Sequence, residues 1–308
     1  MSTRRPVFLV TGNDLTAAAL ALLPDFEVVY AGKAPTDDDI VALCRQHDPV
    51  AIIVRYGKVG AAAIAAAPSL KVISKHGSGI DTIDAAAATA RGIPVVAAAG
   101  ANAAAVAEHA LALLLACAKS VVALNERMHA GHWDKATHKS IELEGRTLGL
   151  IGLGAIGQRL ARTADAMGMR VLGFDPYAQD LPACVSRVED LAAIWREADA
   201  ISLHCPLTAD NARLLNAQTL AACKRGVIVI NTARGGLIDE AALLEAIHSG
   251  QVASAGLDSF AVEPVSASHP FLGEPRITLS PHIGGVTADA YVKMGVAAVR
   301  NALAVLKG

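Results

Sequence analysis

Residues 148–157 read LGLIGLGAIG, an apolar run that turns into glycines at Gly152, Gly154 and Gly157 and passes at once into a helical stretch, Gln158 to Met167. Few patterns constrain a fold so tightly. After a strand, the first glycine permits a tight turn and the second lets the backbone approach a pyrophosphate. The third allows a helix to pack closely on the strand, with its N-terminus facing the phosphates. The context fits a dinucleotide site: strand-like TLGLIG precedes, a helix follows, and a second strand, RVLGFD, ends in Asp175. A carboxylate about 20 residues past the glycines accepts hydrogen bonds from an adenosine ribose and repels a 2′-phosphate, which favours NAD over NADP. Read alone, Asp175 is also compatible with a plain turn before Pro176. The position of the pattern is as telling as its residues. Such a fingerprint normally opens its domain, yet about half of this chain precedes it, so the first half must build something else.

That first half alternates short apolar runs with helical stretches. Strands are predicted at Val7 to Val10, Glu27 to Tyr30, Val50 to Val54, Leu70 to Ser74 and Pro94 to Ala97, a rhythm that argues a parallel sheet covered by helices. A long alanine- and leucine-rich helix is predicted over 102–129, with Asn102 as its cap, followed by a polar loop that leads into the glycines. From 147 the alternation resumes, with strands predicted at 147–152, 170–175, 200–204, 227–231, 254–258 and 276–280. Six such strands make one doubly wound nucleotide domain. Thr287 to Leu306 reads as a single amphipathic helix, too short to be a domain, that packs back on the first one. The expected fold is therefore α/β, with two Rossmann-like doubly wound parallel-sheet domains. A substrate domain of residues 1–101 plus 284–308 is split by an inserted NAD-binding domain, residues 102–283.

Composition closes off other classes. With 308 residues, 18% charged and a net charge of −2, the chain suggests neither a nucleic-acid partner nor an anionic membrane surface. The five cysteines (Cys44, Cys117, Cys184, Cys205, Cys223) are far apart and form no C-x-x-C pair, a usage expected of a reduced, cytoplasmic protein without a zinc framework. The N-terminus enters a short strand rather than a signal peptide's apolar region. The longest apolar stretch, Ala110 to Ala118, falls well short of the ~20 residues a membrane span needs. His129 and His132 have H-x-x-H spacing, but no carboxylate or cysteine completes a set with them and His138, so no metal site is expected.

A hydride transfer to a keto acid needs a cation to hold the carboxylate and polarise the carbonyl, and an acid to protonate the developing alkoxide. Three strand ends offer these groups, and ligands of open α/β sheets bind beyond such ends. Arg234 lies in NTARGG after the VIVI strand, His282 in SPHIGG between a proline and two glycines, and Glu263 before Pro264. A carboxylate bonded to an imidazole fixes its tautomer and favours the protonated ring. Taken singly, each has a plainer reading as a surface arginine, a solvated loop histidine or an ordinary loop glutamate.

Taken together they resemble the D-isomer-specific 2-hydroxyacid dehydrogenase family, which includes phosphoglycerate dehydrogenase and glyoxylate/hydroxypyruvate reductase. TLGLIGLGAIG, HCPLT, NTARGG, GLDSF, EP and SPHIGG occur in that family's order and approximate spacing over nearly the whole chain. The resemblance implies a catalytic triad of Arg234, Glu263 and His282: the arginine orients the substrate, the glutamate supports the histidine, and the histidine exchanges the proton. It implies NAD contacts at Gly152, Gly154, Ala155, Ile156 and Gly157, at Asp175 on the ribose, at Cys205 through its backbone, and at Ala233, Asp258, Gly284 and Gly285. It also places His76, Gly77, Ser78 and Gly79 in a loop that offers donors to the substrate carboxylate. Three departures bear on this. Ala155 stands where many relatives carry arginine, Asn211 stands where many carry threonine, and Glu263 argues against the formate dehydrogenase branch, which replaces it.

The resemblance leaves the substrate open among hydroxypyruvate, glyoxylate and 3-phosphoglycerate. Arg55, at the end of the third strand, matches the arginine that helps phosphoglycerate dehydrogenases bind a distal phosphate. Lys75, His76 and Lys135 would add positive charge, unless all four are merely solvated loop groups. No segment resembles a serine-sensing regulatory domain, so a phosphoglycerate enzyme of this kind is expected to be the short form. The partner expected is a small 2-keto or 2-hydroxy acid, with a homodimer formed through the long helix after Asn102. The alternative function is that of an NAD-sensing corepressor of the same fold.

Overall fold

The computed structural model describes residues 5–308. In chain order its elements begin β1 (Val7–Val10), α1 (Ala17–Leu20), β2 (Glu27–Tyr30), α2 (Asp37–His47), β3 (Ala51–Val54), α3 (Ala61–Ala65), β4 (Val72–Lys75), α4 (Ala85–Ala90) and β5 (Val95–Ala97). There follow α5 (Ala103–Lys119), α6 (Val121–His129), β6 (Thr147–Ile151), α7 (Ala155–Ala166), β7 (Arg170–Phe174), β8 (Val185–Arg187), α8 (Leu191–Glu197), β9 (Ala200–Leu203) and α9 (Ala217–Ala222). The last are β10 (Val227–Asn231), α10 (Glu240–His248), β11 (Val252–Leu257), β12 (Ile277–Leu279) and α11 (Ala288–Lys307). They form two compact units: one runs to Asn102 and resumes with Val286–Gly308, and the other is Ala103–Gly285.

In the first unit the all-parallel sheet has the order β2-β1-β3-β4-β5. β1 and β3 are buried at every residue, as expected of parallel strands covered on both faces. Thr36 and Asp39 cap α2 reciprocally, and Thr16, Asp84 and Thr287 accept first-turn amides of α1, α4 and α11. α11 lies on β4 and β5. Two bonds hold it there: the Ser74 hydroxyl donates to the Ala298 carbonyl (2.8 Å) and the Asn301 amide to the Ala97 carbonyl (2.9 Å). The strand order reverses direction between β1 and β3, so the loops after these two strands flank the sheet's switch point.

The second unit is also all-parallel, in the order β12-β11-β10-β9-β6-β7-β8. Alternate residues of β10 point to opposite layers. Val227 and Val229 pack with Ile194, Leu220, Leu243 and Ile247 of α8–α10, while Ile228 and Ile230 pack with Leu113 and Leu114 of α5 and Leu160 of α7. Its switch point lies between β6 and β9.

Two expectations need correction. Seven strands are present rather than six, because β8 is a three-residue edge strand, VSR, with no buried residue and hence no apolar run to announce it. The single helix expected over 102–129 is two, α5 and α6, bent by 61°. Ser120 between them is left-handed (φ 53°), which ends α5, and α6 then buries no residue at all. Asn102 lies just outside α5, where its side-chain oxygen accepts from the Ser78 hydroxyl (3.3 Å). Among the described residues no single helix is long and apolar enough to cross a membrane, and α5 has nine of its residues buried in the unit.

Candidate active and cofactor site

The glycine turn in the second unit has the geometry a dinucleotide requires. Gly152 adopts φ +96°, and a Cβ there would stand 2.6 Å from the His204 carbonyl carbon; one on Gly157 would stand 2.2 Å from the Gly152 oxygen. Both positions therefore exclude any side chain for internal reasons. Gly154 differs: a Cβ on it would meet nothing within 4 Å, and it precedes α7 without any side-chain cap. The first-turn amides of α7, including those of Ala155 and Ile156, thus have no partner within the helix and face an open cradle, which fits a pyrophosphate. Asp175 directly follows β7, with its Oδ2 accepting from the Leu153 amide inside the glycine turn (2.8 Å) and its Oδ1 accepting from the Tyr177 and Ala178 amides (2.8 and 3.1 Å). It makes the turn that the sequence allowed, and its position beside the cradle leaves the ribose reading standing.

At the ends of β10, β11 and β12 a second constellation is built on two buried anchors, Asn231 and Asp258. Asn231, fully buried, accepts from the Ala233 amide (3.0 Å), donates to the Arg234 carbonyl (2.8 Å) and thereby shapes the NTARGG turn. Its own carbonyl accepts from the Asp258 amide (2.9 Å). Asp258, 2% exposed, holds the next loop: its carboxylate accepts from the Ser280 hydroxyl (2.6 Å), the Ile283 amide (2.9 Å) and the Gly284 amide (2.7 Å). His109 Nε2 of α5 adds a bond to the Ser280 hydroxyl (2.8 Å) and lies 3.4 Å from Asp258. With these donors the carboxylate fixes the loop 280–284 from below.

That loop carries His282, whose own backbone is left-handed (φ 54°), an uncommon state for a residue with a side chain and one that clusters at functional sites. Its Nδ1 lies 2.7 Å from Glu263 Oε2, while Glu263 Oε1 accepts from the Phe260 amide (2.9 Å). A carboxylate only accepts, so Nδ1 carries the proton and Nε2 is the nitrogen left to exchange one. Both side chains reach solvent, at 48% and 35% exposure, as a proton-exchanging pair must. Arg234 is half-buried, and its Nη1 donates to the Ala233 carbonyl (2.7 Å). Of the residues expected here, Glu263 and His282 are brought into contact. Gly284 is committed to Asp258, and Asn211 closes the CPLT loop on itself by accepting from the Thr208 amide and donating to the Pro206 carbonyl (both 2.7 Å). Burial pushes the Cys205 thiol up. Asn231 and Ser280 open the NTARGG and SPHIGG motifs, yet their anchoring role was not expected; its signal was position, at the ends of strands already predicted.

In the first unit the loop after β4 places His76 under cover and Ser78 in solvent. Burial, with the charge of Arg55 adding to it, holds His76 down to about 4, so it is neutral near pH 7 and does not add the positive charge expected of it. The Lys75 ammonium donates to the Arg55 carbonyl (3.3 Å) and the Thr82 hydroxyl (3.4 Å). Arg55 itself is paired with Asp14. Lys135 is exposed in the second unit.

Comparison with known proteins agrees with this architecture. Residues 111–284 match the NAD binding domain of the D-isomer specific 2-hydroxyacid dehydrogenases. The hydroxypyruvate reductase of Thermotoga maritima is 41% identical over 266 residues, covering 86% of each chain. The D-3-phosphoglycerate dehydrogenase of Mycobacterium tuberculosis is 40% identical over 305 residues, 97% of this chain and 57% of the relative. The chain thus spans little more than half the length of that relative. Among solved structures, the TT0316 protein of Thermus thermophilus superposes with a TM-score of 0.89 at 36% identity, covering 98% of this chain and 97% of the other. The chain belongs to the D-isomer specific 2-hydroxyacid dehydrogenase family.

Proposed function

We propose that the chain is an NAD-dependent oxidoreductase that moves a hydride between the nicotinamide and C2 of a small (D)-2-hydroxy acid or its 2-keto partner. The observation that carries this reading is the 2.7 Å pairing of His282 Nδ1 with Glu263 on the same sheet as the glycine cradle. When bound, NAD supplies the hydride donor or acceptor. The chain's own residues do the rest: Arg234 orients the carboxylate and polarises the carbonyl, His282 Nε2 gives a proton to the oxygen during reduction and takes it back during oxidation, and Glu263 holds the tautomer. Ala155, Ile156 and their neighbours would hold the pyrophosphate, Asp175 the ribose, and Cys205, Ala233, Asp258, Gly284 and Gly285 the nicotinamide end. In this reading residues 102–283 serve the cofactor, and residues 1–101 with 284–308 serve the substrate through Arg55 and the loop His76–Gly79.

A homodimer belongs to the same reading. α6 buries nothing yet displays Val121 (55% exposed), Val122 and Met128, with Trp133 at 75% exposure just beyond it. Such a row of apolar side chains beside a groove of about 540 Å³ suits a subunit contact. Sedimentation showing a monomer at tens of micromolar would remove this part. All five cysteines stand as thiols, which supports a cytoplasmic setting that cell fractionation can check.

The activity is tested by following NADH absorbance with glyoxylate, hydroxypyruvate, 3-phosphohydroxypyruvate and longer 2-keto acids. Turnover of at least one is expected. NADH binding without turnover of any would overturn the enzymatic reading.

A further inference from the structure

The first unit holds an ion pair at the ends of its strands. Arg55 follows β3, and Asp14 belongs to the loop after β1, so both stand at the switch point of their sheet, where ligands of such sheets bind. The backbone beneath them is fixed: the buried Thr11 hydroxyl accepts from the Arg55 amide (2.9 Å) and donates to the Tyr56 carbonyl (2.6 Å). The guanidinium is then engaged by Asp14 and flanked by two tyrosines. Nη1 donates to the Asp14 carbonyl (2.7 Å) and, in a short contact, to the Asp14 carboxylate. Nη2 reaches the Tyr56 hydroxyl (3.4 Å), and the Tyr56 and Tyr291 rings lie 5.1 and 4.7 Å from the guanidinium carbon. The Arg55 side chain is 9% exposed, whereas that of Asp14 is 54% exposed.

An arginine that binds a phosphate bidentately must present two N–H groups to it. Here the chain has supplied its own anion. An incoming phosphate or second carboxylate would have to displace Asp14 and would then lie beside it, like charge against like. His76, neutral beneath Tyr291 (ring centroids 5.2 Å apart), adds no compensating charge, and the Lys75 ammonium is turned to the Arg55 carbonyl and Thr82.

We propose that Asp14 is a specificity-determining residue: by pairing with Arg55 it makes this end of the substrate site neutral and amphipathic, so that the preferred 2-keto acids carry one carboxylate and a short uncharged tail, and phosphorylated or dicarboxylic ones are disfavoured. The inference rests on the 2-hydroxyacid dehydrogenase reading above.

The test compares kcat/KM for hydroxypyruvate and 3-phosphohydroxypyruvate in wild type, Asp14→Asn, Asp14→Ser and the double variant Asp14→Asn/Arg55→Met. Wild type should prefer hydroxypyruvate. Either single substitution should move the ratio toward the phosphorylated acid by at least about tenfold, the size of one hydrogen bond to a charged group. The double variant should lose that gain, and inorganic phosphate should become a stronger competitive inhibitor of the single variants alone. Asp14 is more than half exposed, and the serine variant guards against a local misfold of the asparagine one. A wild type that prefers the phosphorylated acid, or an unchanged ratio in folded variants that still turn over hydroxypyruvate, overturns the inference and leaves the enzymatic reading intact. Absence of turnover with every keto acid overturns both.

Discussion

The two units share one architecture, a parallel sheet with helices on both faces, and treat the ends of their strands in opposite ways. In the second unit buried Asn231 and Asp258, with half-buried Ser280, support an exposed imidazole–carboxylate pair, so the carboxylate with the most donors is hidden and the His282–Glu263 pair is offered to solvent. In the first unit the cation at the switch point is covered by two tyrosines and matched by an aspartate. On the proposed reading the same fold serves reactivity in one place and selection in the other, and the difference lies in a handful of loop residues rather than in the sheets.

The comparison is broken most severely at His282. His282→Ala should lower kcat by roughly 10²–10⁴-fold, the usual worth of a positioned acid–base group, with NADH affinity kept. Near-normal turnover would mean that the reactive pair of the second unit is not reactive. No comparable loss of kcat is expected from any change at Asp14, where the effect falls on the choice of substrate.

The glycine turn sharpens the contrast within the second unit. Gly154→Val should leave the melting temperature nearly unchanged, because its Cβ meets open space, while weakening NADH binding by about tenfold or more through loss of approach to the cradle. Gly157→Val should do the reverse first: its side chain would collide with the Gly152 carbonyl and lower the melting temperature. Fluorescence titration with NADH and thermal unfolding separate the two. Equal behaviour of the variants would show that the cradle is structural only.

The smallest effect is one both units share. Each covers a neutral histidine, His76 buried in the first and His204 half-buried in the second, held down to about 4 by desolvation from an ordinary value near 6.5. The unfolded chain binds these protons near pH 6.5 and the folded chain only near pH 4. The stabilisation is therefore complete above about 6.5 and lost as the pH falls toward 4. The melting temperature should drop by several degrees over that window. The drop should shrink in His204→Phe and, separately, in His76→Phe. A melting temperature that is flat between pH 7 and 4.5 would contradict the assignment for both.

Much of this is legible in the amino-acid sequence. β1 begins and ends where its apolar run does, because a strand buried on both faces has nowhere to place a polar residue. The glycine spacing located the cradle because two of its three positions tolerate no side chain. β8 was not legible, since an exposed three-residue edge needs no pattern, nor was the break at Ser120, which is a backbone conformation rather than a composition. At the site, the loops bearing Arg234, Glu263 and His282 were visible as motifs, and so were Asn231, Asp258 and Ser280 within them, but not the hydrogen bonds by which these three anchor the loops. Asp14 escaped for a different reason. It lies 41 residues from Arg55, and only the order in which β1 and β3 pair makes them neighbours.

The interruption of the first unit by the second has a temporal side as well. The helix that covers β4 and β5 is the last element of the chain, and the bond from Ser74 to Ala298 spans 224 residues. As the chain leaves the ribosome, the whole of Ala103–Gly285 is synthesised before that covering helix exists. Through that interval the face of β4 that α11 will bury stays open. If the inserted unit folds first, it replaces a long disordered loop with a short effective one and lowers the entropy cost of bringing α11 home.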